Sequence, residues 1–150
     1  MLKNYSTGDV PSTYALVGGG LLRSYNQDPV SYANTCAMRL SYALNKSGAP
    51  IPYERGKTFK GADNLNYFIR VKDMASYMDA TYGQPNINGM SPSDFSGYTG
   101  IIQFNVSGWS DATGHFTLWN GSSPVYGNYF NVSQEEPGVT LTGVHLWIFK

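Results

Sequence analysis

The segment Asn34-Thr35-Cys36-Ala37-Met38-Arg39-Leu40-Ser41-Tyr42-Ala43-Leu44-Asn45 carries the strongest helical pattern in this sequence. Ala37, Leu40, Ala43 and Leu44 recur at the spacing that gathers side chains on one face of a helix. Asn34 is suited to cap the start by accepting bonds from unpaired backbone amides. Gly48 and Pro50 stop the helix. This reading puts Cys36 in the first helical turn. There the amides and the positive end of the helix dipole stabilise a thiolate. The same amides can hold an oxyanion developing on a carbonyl. A nucleophilic cysteine gains from such a position. By residue type alone, a lone cysteine is more often a small buried hydrophobe.

Working outward, residues 1–33 read as irregular. Gly18-Gly19-Gly20 separates two short apolar stretches, and Asp28-Pro29 marks a turn. The glycine triplet lacks the Lys-Ser or Lys-Thr that completes a phosphate loop. Residues 50–67 read as loop. Val71–Tyr82 reads as a second helix, with Val71, Met74, Ala75 and Met78 on one face and Gly83 after it. Residues 84–100 form another loop, rich in Pro, Asn, Ser and Gly. Beyond it the pattern turns to strands: Ile101–Val106, His115–Trp119, Pro124–Phe130, Val139–Thr142 and the apolar run Val144–Phe149. Helices first and an antiparallel sheet second make an α+β fold. At 150 residues without an internal repeat, the expectation is a single domain over residues 1–150.

Composition narrows the function. A hydrophobic content of 41% allows a buried core, and 15% aromatic residues argue against disorder. Ten basic residues balance ten acidic ones, so the basic stripe of a nucleic-acid binder is missing. Lys57 and Lys60 come nearest to a cluster and read as a solvated loop. No apolar run reaches the length of a membrane-spanning helix, and no membrane partner is expected. Met1 to Val10 lacks the charged-then-apolar plan of a signal peptide. The single cysteine excludes an intramolecular disulfide. With His115 and His145 showing no ligand spacing, neither a metal nor another cofactor is expected.

A nucleophilic thiol needs a base, and a base needs a group to orient it. His115 stands at the start of a strand just after Gly114, whereas His145 lies inside an apolar run and reads as packed or at an edge. If Gly121-Ser122 is a two-residue turn, Trp119 faces Pro124 and His115 faces Asn128. Opposed residues place their side chains on one face of a sheet. Asn128 could then orient the imidazole, as asparagine does in papain-like enzymes.

The segment Asn34 to Asn45 resembles the nucleophile helix of the type VI secretion amidase effectors, in particular their fourth group of papain-like, NlpC-type cell-wall endopeptidases. Gly108-Trp109-Ser110-Asp111-Ala112-Thr113-Gly114-His115-Phe116-Thr117-Leu118-Trp119-Asn120-Gly121 is similar to that group's histidine motif. Gly100-Ile101-Ile102-Gln103-Phe104 resembles the strand leading into it, and the order of the blocks also agrees. The resemblance implies a papain-like NlpC-type fold with the nucleophile helix packed on an antiparallel β-sheet. It implies an antibacterial toxin that hydrolyses the amide between D-glutamate and meso-diaminopimelate in peptidoglycan stem peptides. It further implies delivery by the type VI secretion apparatus and a cognate immunity protein that blocks the active site. The protein would be made in the cytoplasm without a signal peptide and act in the target cell's periplasm. By residue match, Cys36 would be the nucleophile and His115 the base. Relatives place an aspartate after the histidine hairpin, often flanked by two cysteines, and this sequence has neither. Gap-free matching puts that aspartate's place at Tyr126. Asn128 is the expected third member, with Asp111 as the alternative acid.

Other residues are read more plainly. Trp109 and Trp119 could line a groove, but tryptophan in a small sheet usually packs in the core. Arg39, Arg55, Lys57 and Lys60 could steer an acidic stem peptide and are expected to be solvated. Two other functions fit the composition or the chemistry. A non-catalytic cell-wall or carbohydrate-binding module suits the low charge and the twelve tyrosines. A papain-like hydrolase or acyltransferase acting on another amide suits Cys36 and His115, because the loops set the substrate.

Overall fold

The structure is a computed structural model that describes residues 1–110 and 112–149. The chain divides into two compact units, Met1–Met74 and Ala75–Lys150.

The first unit opens with α1 (Val10–Val17). Asp9 caps it, its Oδ1 accepting the Ser12 amide at 2.8 Å, and Pro11 fits the first turn. After Gly18 comes α2 (Gly19–Gln27). These helices correct the expectation that residues 1–33 are irregular. Each is too short for apolar periodicity to stand out, and their junction is the glycine triplet that reads as a loop. The reason for glycine here is close approach. Gly18 and Gly19 have φ of 65° and 63°, and a Cβ on Gly19 would sit 2.8 Å from the Ala62 nitrogen. Ala62 donates its amide to the Val17 carbonyl at 2.8 Å, locking that contact.

The expected central helix is present as α3 (Cys36–Lys46), with Ala37, Leu40, Ala43 and Leu44 buried as the spacing predicts. Residues 50–67, read as loop, contain most of a hairpin instead: β1 (Thr58–Lys60) pairs antiparallel with β2 (Asn66–Phe68). Strands of three residues show no alternation to read. Side-chain hydrogen bonds fasten α3 to this hairpin. Ser41 Oγ accepts the Phe68 amide at 2.9 Å, and Asn45 Nδ2 donates to the Asn66 carbonyl at 2.8 Å. Tyr14, Val17, Leu21, Met38 and Tyr67 form the apolar core of this unit. The helix α4 (Val71–Tyr82) has the expected limits and leads into the second unit. No helix among the described residues is long and apolar enough to cross a membrane.

The second unit is built on an antiparallel sheet of β3 (Ile87–Gly89), β4 (Gly100–Ser107), β5 (Gly114–Trp119) and β6 (Thr140–Ile148), in the order β3-β6-β4-β5. The short helix α5 (Val132–Glu135) precedes β6. Three expectations change here. The loop over residues 84–100 contributes the edge strand β3, which forms because β6 offers it a partner. The two C-terminal strands are one strand with a register shift opposite Asn105 and Val106. Finally, the expected strand Pro124–Phe130 does not form. Only Pro124 bridges Trp119, and the chain then leaves the sheet. Ile102, Phe104, Val144, Leu146 and Phe130 belong to the core on one face.

On the opposite face, His145 sits between two asparagines. Asn105 Nδ2 donates to its Nε2 at 2.9 Å, and its Nδ1 donates to Asn88 Oδ1. Burial lowers the His145 pKa from its ordinary value of 6.5, and the Asp79 charge opposes part of that shift. The folded state therefore binds this proton less readily than the unfolded chain. The resulting stability is present above 6.5 and is lost as the pH falls from there through the folded value. We expect the wild-type melting temperature to fall as the pH is lowered below 6.5, and His145→Gln to flatten the slope. An unchanged slope in the variant would remove His145 as its cause.

Candidate active site

The first candidate group lies at the start of α3. Cys36 is the first residue of the helix and is 2% exposed. Thr35, not Asn34, holds the N-cap position. Asn34 nevertheless caps with its side chain, since Oδ1 accepts the Cys36 amide at 3.2 Å. The Cys36 amide, expected to be unpaired at the helix start, is therefore already engaged.

Arg39 lies one turn further along and corrects the expectation of a solvated side chain, because it is 0% exposed. Its Nε donates to Thr35 Oγ1 at 2.7 Å and its Nη1 to the Ser6 carbonyl at 2.9 Å. The guanidinium therefore ties the residue before Cys36 to the N-terminal segment. Helical spacing places Arg39 on the Cys36 side of α3, and the fold brings the Ser6 carbonyl, 33 residues away in the chain, to that side. We expect Arg39→Met to cost about 3 kcal/mol, since the buried Thr35 hydroxyl and the half-buried Ser6 carbonyl lose their donor. A solvated arginine would cost under about 0.5 kcal/mol. Urea unfolding separates the two values.

The second candidate group lies on β5. His115 is 6% exposed, and its backbone pairs with Phe104 of β4. The ring lies 4.7 Å from that of Tyr129, centroid to centroid. Its Nε2 is 2.8 Å from the main-chain oxygen of Tyr126. Gly127, with φ of 79°, packs directly on the ring.

The hairpin register expected from a Gly121-Ser122 turn holds at first. Trp119 bridges Pro124, and the Val125 amide donates to the Leu118 carbonyl at 2.8 Å. It ends before Asn128, so the pairing of Asn128 with His115 across two strands is absent. The Asn128 Oδ1 instead accepts the Phe130 amide at 3.1 Å. Tyr126 occupies the place opposite the imidazole, through its backbone. A sequence signal existed in Gly127, a residue that allows a chain to turn off a strand. Asp111 lies outside the described residues. Trp119 is core, fully buried with Nε1 donating to the Phe95 carbonyl at 2.9 Å. Trp109 packs on Tyr129 and donates to Glu136 Oε1 at 3.1 Å. Each unit thus offers one candidate group, a thiol at a helix start and an imidazole held by a hydrogen bond on a strand.

Residues 32–147 match the model of the family described as Tae4, type VI secretion system (T6SS), amidase effector protein 4. Among solved structures, the chain is similar to the type VI effector–immunity complex Tae4–Tai4 from Enterobacter cloacae. The identity is 35% and the TM-score 0.85, covering 96% of this chain and 91% of that chain. It is also similar to the effector Tae4 from Salmonella typhimurium in complex with the immunity protein Tai4 from Enterobacter cloacae. That match has 34% identity and a TM-score of 0.84, covering 95% of this chain and 91% of that chain. A third match is the type VI effector Tae4 from Enterobacter cloacae, at 34% identity and a TM-score of 0.81, covering 95% and 88% of the two chains. No curated protein matches the chain.

Proposed function

Because this chain belongs to the Tae4 family of type VI secretion amidase effectors, we propose that it is a cysteine amidase with Cys36 as nucleophile and His115 as base. Its fold is the papain-like, NlpC-type α+β fold of that family. The family makes it an antibacterial effector that acts on peptidoglycan in the target cell's periplasm, with an immunity protein of the Tai4 kind as its partner. Cytoplasmic synthesis in the producing cell, without a signal peptide, is part of the proposal. So is the working of residues 1–150 as one catalytic domain.

The observation that carries the cysteine chemistry is the position of the chain's one cysteine, the first residue of α3 within the matched segment. In this reading His115 removes the thiol proton and the sulfur attacks the γ-carbonyl carbon of D-glutamate. The tetrahedral oxyanion collapses and breaks the carbon–nitrogen bond. His115 passes the proton to the departing diaminopimelate amine. It then takes a proton from water, whose oxygen attacks the thioester and restores the thiol.

Incubation with purified Gram-negative peptidoglycan, followed by mass spectrometry, tests the reading. Fragments ending in free D-glutamate should appear, and alkylation of Cys36 beforehand should prevent them. An unchanged fragment profile from folded protein would discard the substrate. Full cleavage after complete alkylation would discard the cysteine chemistry.

A further inference from the structure

We infer that the third member of the site is a main-chain group: the Tyr126 carbonyl oxygen fixes the tautomer of His115, and Gly127 is the residue that admits this contact. The inference rests on the cysteine-amidase reading and names its positioning residues.

A carbonyl oxygen only accepts, so at 2.8 Å the His115 Nε2 carries the hydrogen. In a neutral imidazole the lone pair then lies on Nδ1, which becomes the basic nitrogen. In triad enzymes a carboxylate or carboxamide side chain orients the ring in this way. Here the acceptor peptide is itself anchored. Tyr126 donates its amide to Thr117 Oγ1 at 3.1 Å, one residue after Val125 donates to Leu118. His115 and Thr117 are alternate residues of β5 and point to the same face. One strand therefore positions both the imidazole and the peptide that orients it.

Gly127 is the steric condition for the contact. A Cβ there would lie 2.8 Å from His115 Nε2 and 3.2 Å from Cε1. Both ring atoms belong to a side chain already 6% exposed and packed on Tyr129, so the ring would have to leave the carbonyl. The Asn128 carboxamide is engaged elsewhere, capping the turn that leads into buried Phe130.

Nitrogen-15 NMR of the wild-type protein, with imidazole shifts recorded at a pH where His115 is neutral, reads the tautomer directly. The expected result is hydrogen on Nε2. Hydrogen on Nδ1 would overturn the inference, whether or not the protein cleaves peptidoglycan. Loss of cleavage with the Nε2 form intact would count against the function alone. In Gly127→Ala, with folding checked by circular dichroism, kcat should fall about a hundredfold with KM little changed, and both tautomers should appear. Asn128→Ala should change kcat by no more than about threefold and keep the wild-type tautomer. A loss in Asn128→Ala as large as in Gly127→Ala, with a changed tautomer, would give the orienting role to Asn128. If Gly127→Ala does not fold, the wild-type tautomer and Asn128→Ala decide.

Discussion

Cys36→Ala is expected to lower the rate of peptidoglycan cleavage by about 10⁴-fold or more while leaving the protein folded. The size follows from the role proposed for the sulfur. Without it no thioester forms, and what remains is only the help of binding and of any oxyanion contacts. The structure predicts little other damage. Cys36 is buried, but its replacement removes a single heavy atom, and alanine suits a helix better than cysteine does. The stability cost should be about 1 kcal/mol. The Asn34 bond to the residue 36 amide involves only the backbone of that residue and should persist. Initial rates of fragment release and a melting curve, measured on the same preparation, check both halves. A rate within about tenfold of wild type would remove Cys36 as the nucleophile.

His115→Gln should cost about 10³-fold in turnover and slow alkylation of Cys36 at neutral pH. Glutamine has nearly the volume of histidine and can donate an amide hydrogen toward the Tyr126 oxygen. It cannot act as a base near neutral pH. The packing around β5, where Phe104 and Tyr129 touch the ring, should therefore survive. Two readouts make the outcome specific. Turnover reports the whole cycle, and the alkylation rate reports the thiolate before any substrate arrives. Slow turnover with undiminished alkylation would confine His115 to proton delivery at the leaving amine. Undiminished turnover would leave the site without its base.

Much of this was legible in the residues, and the difference between what was and what was not is physical. Helix α3 and helix α4 announce themselves because each places several apolar side chains at helical spacing. The run β4 and β5 is legible because both strands are long and apolar, and the turn between Asn120 and Ser123 sets the first pairs after it. Cys36 and His115 stand out as rare residue types in recognisable local patterns. By contrast, β1, β2 and β3 have three residues each, so no alternation can accumulate. They are strands because a partner strand lies alongside, a property that no local pattern carries.

The family and the chemistry proposed for it, then, were legible in the sequence itself: a cysteine at a helix start, a histidine at a strand start, and two motifs in a fixed order. Only the tertiary structure decided how those residues are held. Arg39 is charged and reads as exposed, yet folding buries it and makes it a link between Thr35 and the Ser6 carbonyl. The hairpin register points from His115 to Asn128, yet the chain leaves the sheet near Gly127 and presents a backbone oxygen of Tyr126 instead. Local periodicity encodes which face of an element is apolar, because it depends on neighbours three or four residues away. Burial of a charge and the partner of a ring nitrogen depend on groups brought together from distant parts of the chain, and those exist only once the chain has folded.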